Sequence, residues 1–247
     1  MSLLHVRRLV KRYGGLVATD QFDFDLPAGE THAIIGPNGA GKSTLVGQLS
    51  GEIRPDGGQI FFDGREITPL GTARRALMGL ARSYQITSVF PEFTALQNVM
   101  LSVQAHQGHS FRFWKPALRE PALTAPARQA LERVGLDRHL HVPAAALAHG
   151  EQRQLELAMV LAGKPRLLLL DEPLAGMSQS ESEKMTDLLL GLKKQYSMIL
   201  VEHDMNAVFR LADRITVLVY GRNIACDIPD RIRASEEVRA AYLGDDD

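Results

Sequence analysis

The chain has a single cysteine, Cys226. No disulfide can form within it, and such thiol usage fits a reducing cytosol. No apolar run approaches the roughly 20 residues that span a bilayer, and no charged-then-apolar secretion pattern opens the sequence. The expectation is a chain that serves a membrane, if it does, through a partner. Charge of either sign is not in excess: 28 Lys and Arg stand against 29 Asp and Glu, for a net charge of −1. Without a basic field, nucleic acid is not an expected partner. Internal repeats and low-complexity segments are lacking too. What is present is length and apolar content, 247 residues at 45% hydrophobic. That suffices for a sizeable core in one large domain or two closely joined lobes.

The most informative stretch is Gly36-Pro37-Asn38-Gly39-Ala40-Gly41-Lys42-Ser43-Thr44. Ala33-Ile34-Ile35 before it reads as a buried strand, and a helix from Lys42 to about Ser50 follows. Gly36, Gly39 and Gly41 let the backbone turn tightly and aim its N–H groups at one point. With the helix N-terminus they form an anion site. In this pattern Lys42 reaches the β- and γ-phosphates of a nucleotide, and the Ser43 hydroxyl ligates Mg²⁺.

Residues 3–35 read mostly as strands, with Phe22, Phe24 and Leu26 alternating with Asp23 and Asp25 on a half-exposed one. Ile60 to Ile67 reads as a hairpin with an Asp63-Gly64 turn, and Leu80 to Ile86 as another strand. From about Thr94 to Ala162 the pattern turns helical, broken by a polar, proline-containing stretch between Gln104 and Pro126. Alternation then returns: strand Leu167–Leu170, helix Ser180–Gln195, strand Met198–Val201, helix Met205–Ala212, strand Ile215–Tyr220. Apolar strands between helices imply an α/β fold with a mainly parallel sheet covered on both faces. The expected organisation is one domain over 1–247. Residues 1–86 and 163–247 form the nucleotide-binding core with an N-terminal antiparallel β subdomain, and residues 87–162 form an inserted α-helical subdomain. Asp245-Asp246-Asp247 is expected to be a solvated tail.

Asp171-Glu172 follows the Leu167–Leu170 strand, at the edge where open α/β sheets place ligands. Asp171 is expected to hold Mg²⁺ through water. Glu172 is expected to polarise the attacking water as general base, a role worth about 10²–10⁴ in rate. His203 follows the next apolar strand, placed to bond the γ-phosphate or orient the water. Gln85 ends the Leu80–Ile86 strand and can sense Mg²⁺ and the water while its loop leads into the helical block. Gly150-Glu151-Gln152-Arg153 opens a helix to about Ala162, whose N–H groups and dipole suit a phosphate. The local loop already holds its own nucleotide, so this helix faces one on a second copy or partner.

In order along the chain stand Tyr13, the phosphate loop, Gln85, Leu147-Ala148-His149-Gly150-Glu151-Gln152, the Asp171-Glu172 strand and His203. This set resembles the nucleotide-binding subunits of ATP-binding-cassette (ABC) transporters over nearly the whole chain, a phosphate-loop (P-loop) NTPase fold. A finer similarity is to the subgroup serving branched-chain amino acid uptake. It is carried by Lys11-Arg12-Tyr13-Gly14-Gly15-Leu16-Val17-Ala18, Ala148 to Glu156, Pro173-Leu174-Ala175-Gly176-Met177, Val201-Glu202-His203-Asp204-Met205 and Ala241-Tyr242-Leu243-Gly244. Related subgroups that export lipid or import urea have similar ATPases. The resemblance implies ATP and Mg²⁺ as cofactors, with Tyr13 stacked on adenine. Two ATPs would be sandwiched between the phosphate loop of one subunit and the Ala148, His149, Gly150 and Glu151 segment of the other. It also implies docking of the helical block on two integral membrane permease subunits, at the cytoplasmic face of the inner membrane, and a periplasmic solute-binding protein acting indirectly.

Two departures from the family pattern stand out. Ala148 lacks the hydroxyl of the usual Ser and His149 replaces a Gly, which removes a γ-phosphate hydrogen bond worth about 1–3 kcal/mol if nothing compensates. Ser178 stands where the loop after Glu172 usually ends in Asp. The Phe111–Lys115 cluster reads as a hydrophobic cluster under a loop or as a contact with the membrane partner. His106, His109, His139, His141 and His149 lack the cysteine or carboxylate pattern of a zinc site. A rival class, a cassette ATPase acting on ribosomes or DNA, would carry two cassettes or a long coiled coil.

Overall fold

The apolar runs between helices become the interior of a six-stranded sheet. The computed structural model describes residues 2–83, 89–108 and 116–243. Gln85, His109, the Phe111–Lys115 cluster, Gly244 and the Asp245–Asp247 tail lie outside the described residues. In chain order the strands are β1 (Ser2–Tyr13), β2 (Leu16–Pro27), β3 (Thr31–Ile35), β4 (Gly57–Phe62), β5 (Arg65–Glu66), β6 (Leu80–Ser83), β7 (Leu167–Asp171), β8 (Ser197–Val201), β9 (Arg214–Val219) and β10 (Arg222–Asp227). The α-helices are α1 (Lys42–Ser50), α2 (Thr72–Leu77), α3 (Ala95–Gln107), α4 (Pro121–Arg133), α5 (His149–Ala162), α6 (Gln179–Lys193), α7 (Met205–Leu211), α8 (Pro229–Ala234) and α9 (Glu236–Leu243).

β3, β7 and β8 are buried at all five positions, as near-continuous apolar strands must be when helices cover both faces. The sheet order is β10-β9-β3-β8-β7-β6, parallel except where β10 returns antiparallel beside β9. The strand period of two sorts side chains between layers. Leu167 and Leu169 enter one core with Leu45, Leu49 and Phe24, while Leu168 and Leu170 enter another with Leu96, Leu131 and Leu155. A third cluster joins Ala33 and Ile35 to Val208 and Ile232. No helix among the described residues is long and apolar enough to cross a membrane.

The N-terminal sheet is antiparallel, ordered β2-β1-β4-β5. Phe22, Phe24 and Leu26 of β2 are buried while Gln21, Asp23 and Asp25 face out, the predicted alternation. Asp63 and Gly64 both take left-handed backbone, φ 51° and 73°, the geometry of a tight hairpin turn. Three contacts clasp β2 to the parallel layer. The Thr19 hydroxyl is 2.7 Å from Gln48 Oε1 on α1, the Asp20 N–H donates to the Gly221 carbonyl, and the Ala18 carbonyl backs onto Gly41.

The helical stretch departs from expectation at Pro126. α3 runs on to Gln107, and α4 starts at Pro121, so Pro126 lies inside a helix instead of ending the break. Proline removes the N–H that would bond the carbonyl four residues back. Gln107 Nε2 donates to that carbonyl, on Ala122, at 2.9 Å, which also ties α3 to α4. β10, α8 and α9 follow the last element predicted from the sequence. α8 opens on Pro229, where a missing N–H costs no helical bond.

His32 on β3 is buried, with Nε2 2.8 Å from the Thr216 hydroxyl, Nδ1 2.9 Å from Glu30 Oε1, and the Phe24 ring edge-on. Burial, then Arg214, pushes its pKa down to about 4, with Asp213 acting the other way. The unfolded imidazole protonates near 6.5, so the neutral ring stabilises the fold fully above that pH. The contribution is lost as pH falls from 6.5 toward 4, about 3 kcal/mol in all. Burial raises the Glu30 carboxyl, which gives a slope of opposite sign. Comparing urea midpoints of the native protein and His32→Gln at pH 7 and pH 4.5 isolates the histidine. The native protein is expected to lose more stability on acidification than the variant.

Candidate nucleotide site

The phosphate loop joins the buried end of β3 to α1, with helix bounds Lys42–Ser50 as predicted. Gly41 is the residue before the helix, at φ 101°. A Cβ there would run into the Ala18 carbonyl oxygen, so both conformation and space require glycine. Gly36 similarly leaves no room for a Cβ against the Leu218 carbonyl of β9. Pressed from beneath by β2 and β9, the loop can turn only outward. Ala40 is held by Gly221 N–H on its carbonyl at 2.9 Å. Gly39 has left-handed backbone and open space around it.

Lys42 Nζ donates to the Gly36 and Pro37 carbonyls at 2.7 and 2.9 Å. Burial lowers its pKa, and the charges of Glu172 and Asp171 oppose that. The two acidic residues at the end of β7 thus act electrostatically on the loop lysine. Ser43 and Thr44 follow on the first turn of α1, whose leading N–H groups have no intrahelical acceptor.

Asp171 closes β7 and is buried. Arg82 Nη2 donates to its Oδ2 at 2.7 Å, while its Oδ1 is buried with no hydrogen-bond partner among the described residues. Burial raises this carboxyl, with Arg82 opposing. An unsatisfied, buried carboxylate oxygen beside the phosphate loop fits a hydrated divalent cation. Glu172 adopts φ 50°, unusual for a residue with a side chain, and its N–H is pinned on the Val201 carbonyl at 2.8 Å. Strain of this kind gathers at sites that need a side chain aimed. His203 Nδ1 stands 3.8 Å from Glu172 Oε1, so the two residues named from consecutive strand ends do meet.

Tyr13 ends β1 at the tip of the first hairpin, half exposed. Lys11 Nζ lies 5.4 Å from its ring centroid and is anchored on Asp56 Oδ1 at 2.9 Å and the Arg54 carbonyl at 3.0 Å. A cation held against one face leaves the other for a planar ligand.

The Gly150 helix differs from expectation. Its Gly150 N–H is not open. It donates to Glu181 Oε1 of α6 at 3.2 Å, and Glu181 Oε2 also accepts from the Ser178 N–H and hydroxyl. Those three donors, the Ser178 hydroxyl first, hold the Glu181 carboxyl below its ordinary pKa. The Ala148 N–H donates to Glu151 Oε2 at 2.9 Å. Alanine offers no side-chain acceptor to the helix start, and these carboxylates occupy the positive end instead. His149 packs at N1 with its ring near Gly176.

Sequence reasoning missed Arg82 and Glu202. Glu202 is buried, its Oε1 accepting from Leu174 N–H at 2.8 Å and its Oε2 from His203 N–H at 3.1 Å. It staples the loop after Glu172 to the turn that carries His203. Burial raises its carboxyl. A charged residue directly after an apolar strand was the available signal.

Residues 19–175 match the family model described as ABC transporter, and residues 222–247 match that of the branched-chain amino acid ATP-binding cassette transporter. The chain is 36% identical over 252 aligned residues to the high-affinity branched-chain amino acid transport ATP-binding protein LivG of Salmonella typhimurium, covering 98% of each. Identity to BraF, of the same description, from Pseudomonas aeruginosa is also 36%, over 98% of each. Among solved structures, a nucleotide-free ATP-binding cassette from an ABC transporter superposes with TM-score 0.88 at 26% identity, covering 99% of this chain and 100% of that one. The ADP conformation of an ATP-binding cassette gives 0.87 at the same identity. With the loop, the carboxylate strand and the Gly150 helix on one scaffold, and relatives matched over 98% of their length, this chain belongs to the ATP-binding-cassette family of transporter ATPases.

Proposed function

We propose that the chain is the ATP-hydrolysing subunit of a system importing branched-chain amino acids, and that it works as one of a pair of cassettes. The solute class is carried by residues 222–247, the stretch holding β10, α8 and α9, which match the branched-chain cassette model. The LivG and BraF likeness supports it. In this reading the loop from Gly36 to Thr44 cradles the phosphates, and Tyr13 stacks on adenine. Ser43, Asp171 and Gln85 hold Mg²⁺, which when bound neutralises charge on the phosphates. Glu172 takes the proton of the attacking water, and His203 orients that water or the γ-phosphate. Ala148, His149, Gly150 and Glu151 face the nucleotide of the second subunit. ATP favours the closed pair, and hydrolysis releases it.

Residues 87–162 form a helical subdomain that docks on two membrane permease subunits at the cytoplasmic face. A periplasmic solute-binding protein delivers the solute to them. The cleft between α2, β6, α3 and α5, lined by Ala76, Leu80, Met159 and Val160, supports a docking surface at the edge of that subdomain. Tagged protein recovered from detergent-solubilised membranes should bring multi-span subunits with it, identified by mass spectrometry. Vesicles reconstituted with these subunits and their binding protein should accumulate leucine, isoleucine or valine only with ATP. Co-purification of ribosomal or DNA-bound proteins alone would overturn transport. Uptake confined to another solute would overturn the solute class and leave the ATPase standing.

A further inference from the structure

Arg82 carries no role in the chemistry above, yet it touches its centre. β6 runs parallel to β7 with Arg82 opposite Leu169 and Ser83 opposite Leu170, so its side chain reaches along the sheet toward Asp171. Nη2 donates to Asp171 Oδ2 at 2.7 Å, and Nη1 donates to Glu52 Oε2 at 2.6 Å and Ser50 Oγ at 3.4 Å. The Arg82 and Asp171 side chains keep only 11% and 2% of their exposure, so water competes little for the bond between them, while Glu52 keeps 35% and forms the outer, wetter grip. Ser50 ends α1, and Glu52 follows it. One guanidinium thus joins the far end of the phosphate-loop helix to the strand that presents Asp171. Asp171 Oδ1, the other oxygen of the same carboxylate, is buried and has no hydrogen-bond partner among the described residues.

We propose that Arg82 is a positioning residue for the divalent cation that accompanies ATP. By gripping Asp171 Oδ2 it presents Oδ1 alone to the cation or its water. By gripping Glu52 and Ser50 it sets the end of β7 against α1, whose second residue is Ser43. The inference rests on reading Asp171 as a cation-holding residue. Carboxylate torsions are broad, so an aspartate gripped by one oxygen offers a narrower set of directions than a free one. The planar fork of arginine can hold two carboxylates in fixed relation, which the point charge of lysine cannot. Removing the fork also leaves Asp171 a buried charge without its counter-ion.

Mn²⁺ is the probe, followed by electron paramagnetic resonance on ATP-loaded protein in a Glu172→Gln background that prevents turnover. ATP affinity is measured separately in EDTA. Arg82→Met should raise the Mn²⁺ Kd about 10- to 100-fold while metal-free ATP affinity stays within about twofold. Arg82→Lys should recover part of the loss, and Glu52→Gln, which loosens only the outer grip, should show a smaller loss of the same sign. If Arg82→Met does not fold, these two variants carry the test. Asp171→Asn separates the two readings. Weakened Mn²⁺ binding there, with unchanged binding in the Arg82 and Glu52 variants, overturns the positioning role alone. Unchanged binding in Asp171→Asn overturns the reading of Asp171, and the inference with it. Equal losses of Mn²⁺ and metal-free ATP affinity in the Arg82 variants also overturn it, since they mean general loosening of the site.

Discussion

Glu172→Gln should slow phosphate release by about 10²- to 10⁴-fold and leave ATP binding in place. The exchange keeps size and shape but removes the ability to take a proton, so it tests the base and little else. The backbone supports a single aim for this side chain. Glu172 is held at φ 50° by its N–H on the Val201 carbonyl, with His203 Nδ1 3.8 Å from Oε1. The glutamine inherits the same peptide geometry. Single-turnover hydrolysis and ATP-dependent dimerisation by gel filtration would be measured together. The expected variant forms the ATP-bound pair and stays in it. A rate within about threefold of the native protein would remove Glu172 from the role of base, because a positioned proton acceptor is worth far more than that.

Arg75→Met should cost about 4 kcal/mol of stability, measured as a fall in urea midpoint at unchanged slope. Arg75 is among the largest fully buried side chains, and every acceptor the described structure gives it is a backbone carbonyl. Nη1 donates to Gln48 and Leu49 at 2.7 Å each, Nε to Leu70 at 2.8 Å, and Nη2 to Thr68 at 3.2 Å. The reason lies at the end of α1. The N–H groups of Gly51, Glu52 and Ile53 all converge on the Gly47 carbonyl. The next two carbonyls, Gln48 and Leu49, take the guanidinium as their donor. Burial lowers the Arg75 pKa to about 10, which still leaves it charged at neutral pH, a cation at the negative end of the phosphate-loop helix. Removing it leaves two buried helix carbonyls unsatisfied, at about 1–3 kcal/mol each. The relief of no longer burying a cation acts the other way. A loss below about 1 kcal/mol would show that this relief dominates.

Where a local pattern dictated the backbone, it could be read from the residues. α1 begins at Lys42 because the glycines before it make the turn, and β7 and β8 are apolar runs too short for helices. Phe22, Phe24 and Leu26 alternate because one face of β2 is buried. What could not be read depends on partners far along the chain. Pro126 looks like a helix breaker until Gln107 satisfies the Ala122 carbonyl. Gly150 looks like an open anion site until Glu181, 31 positions on, is folded against it. Arg75 and Arg82 are ordinary basic residues in a basic stretch, and only the third dimension shows one on helix carbonyls and the other between two carboxylates. Glu202 is similar, since one of its oxygens is filled by the Leu174 N–H, 28 positions back along the chain. The phosphate loop was legible because its glycines dictate the turn of its own backbone. The supports around it were not, because they are contacts between elements.

The clasp on β2 has a consequence for how a nucleotide is met. Ala18 backs onto Gly41, Thr19 is bonded to Gln48, and Asp20 is tied to the β9–β10 turn. Tyr13 pairs with Leu16 at the tip of the same hairpin, only two residues, or about 7 Å of strand, before Ala18. The aromatic ring and the phosphate loop are therefore mounted on one stiff bracket. In the proposed reading, with Tyr13 stacked on adenine, their separation is a gauge set before any ligand arrives, against which the length of a nucleotide from base to terminal phosphate is measured.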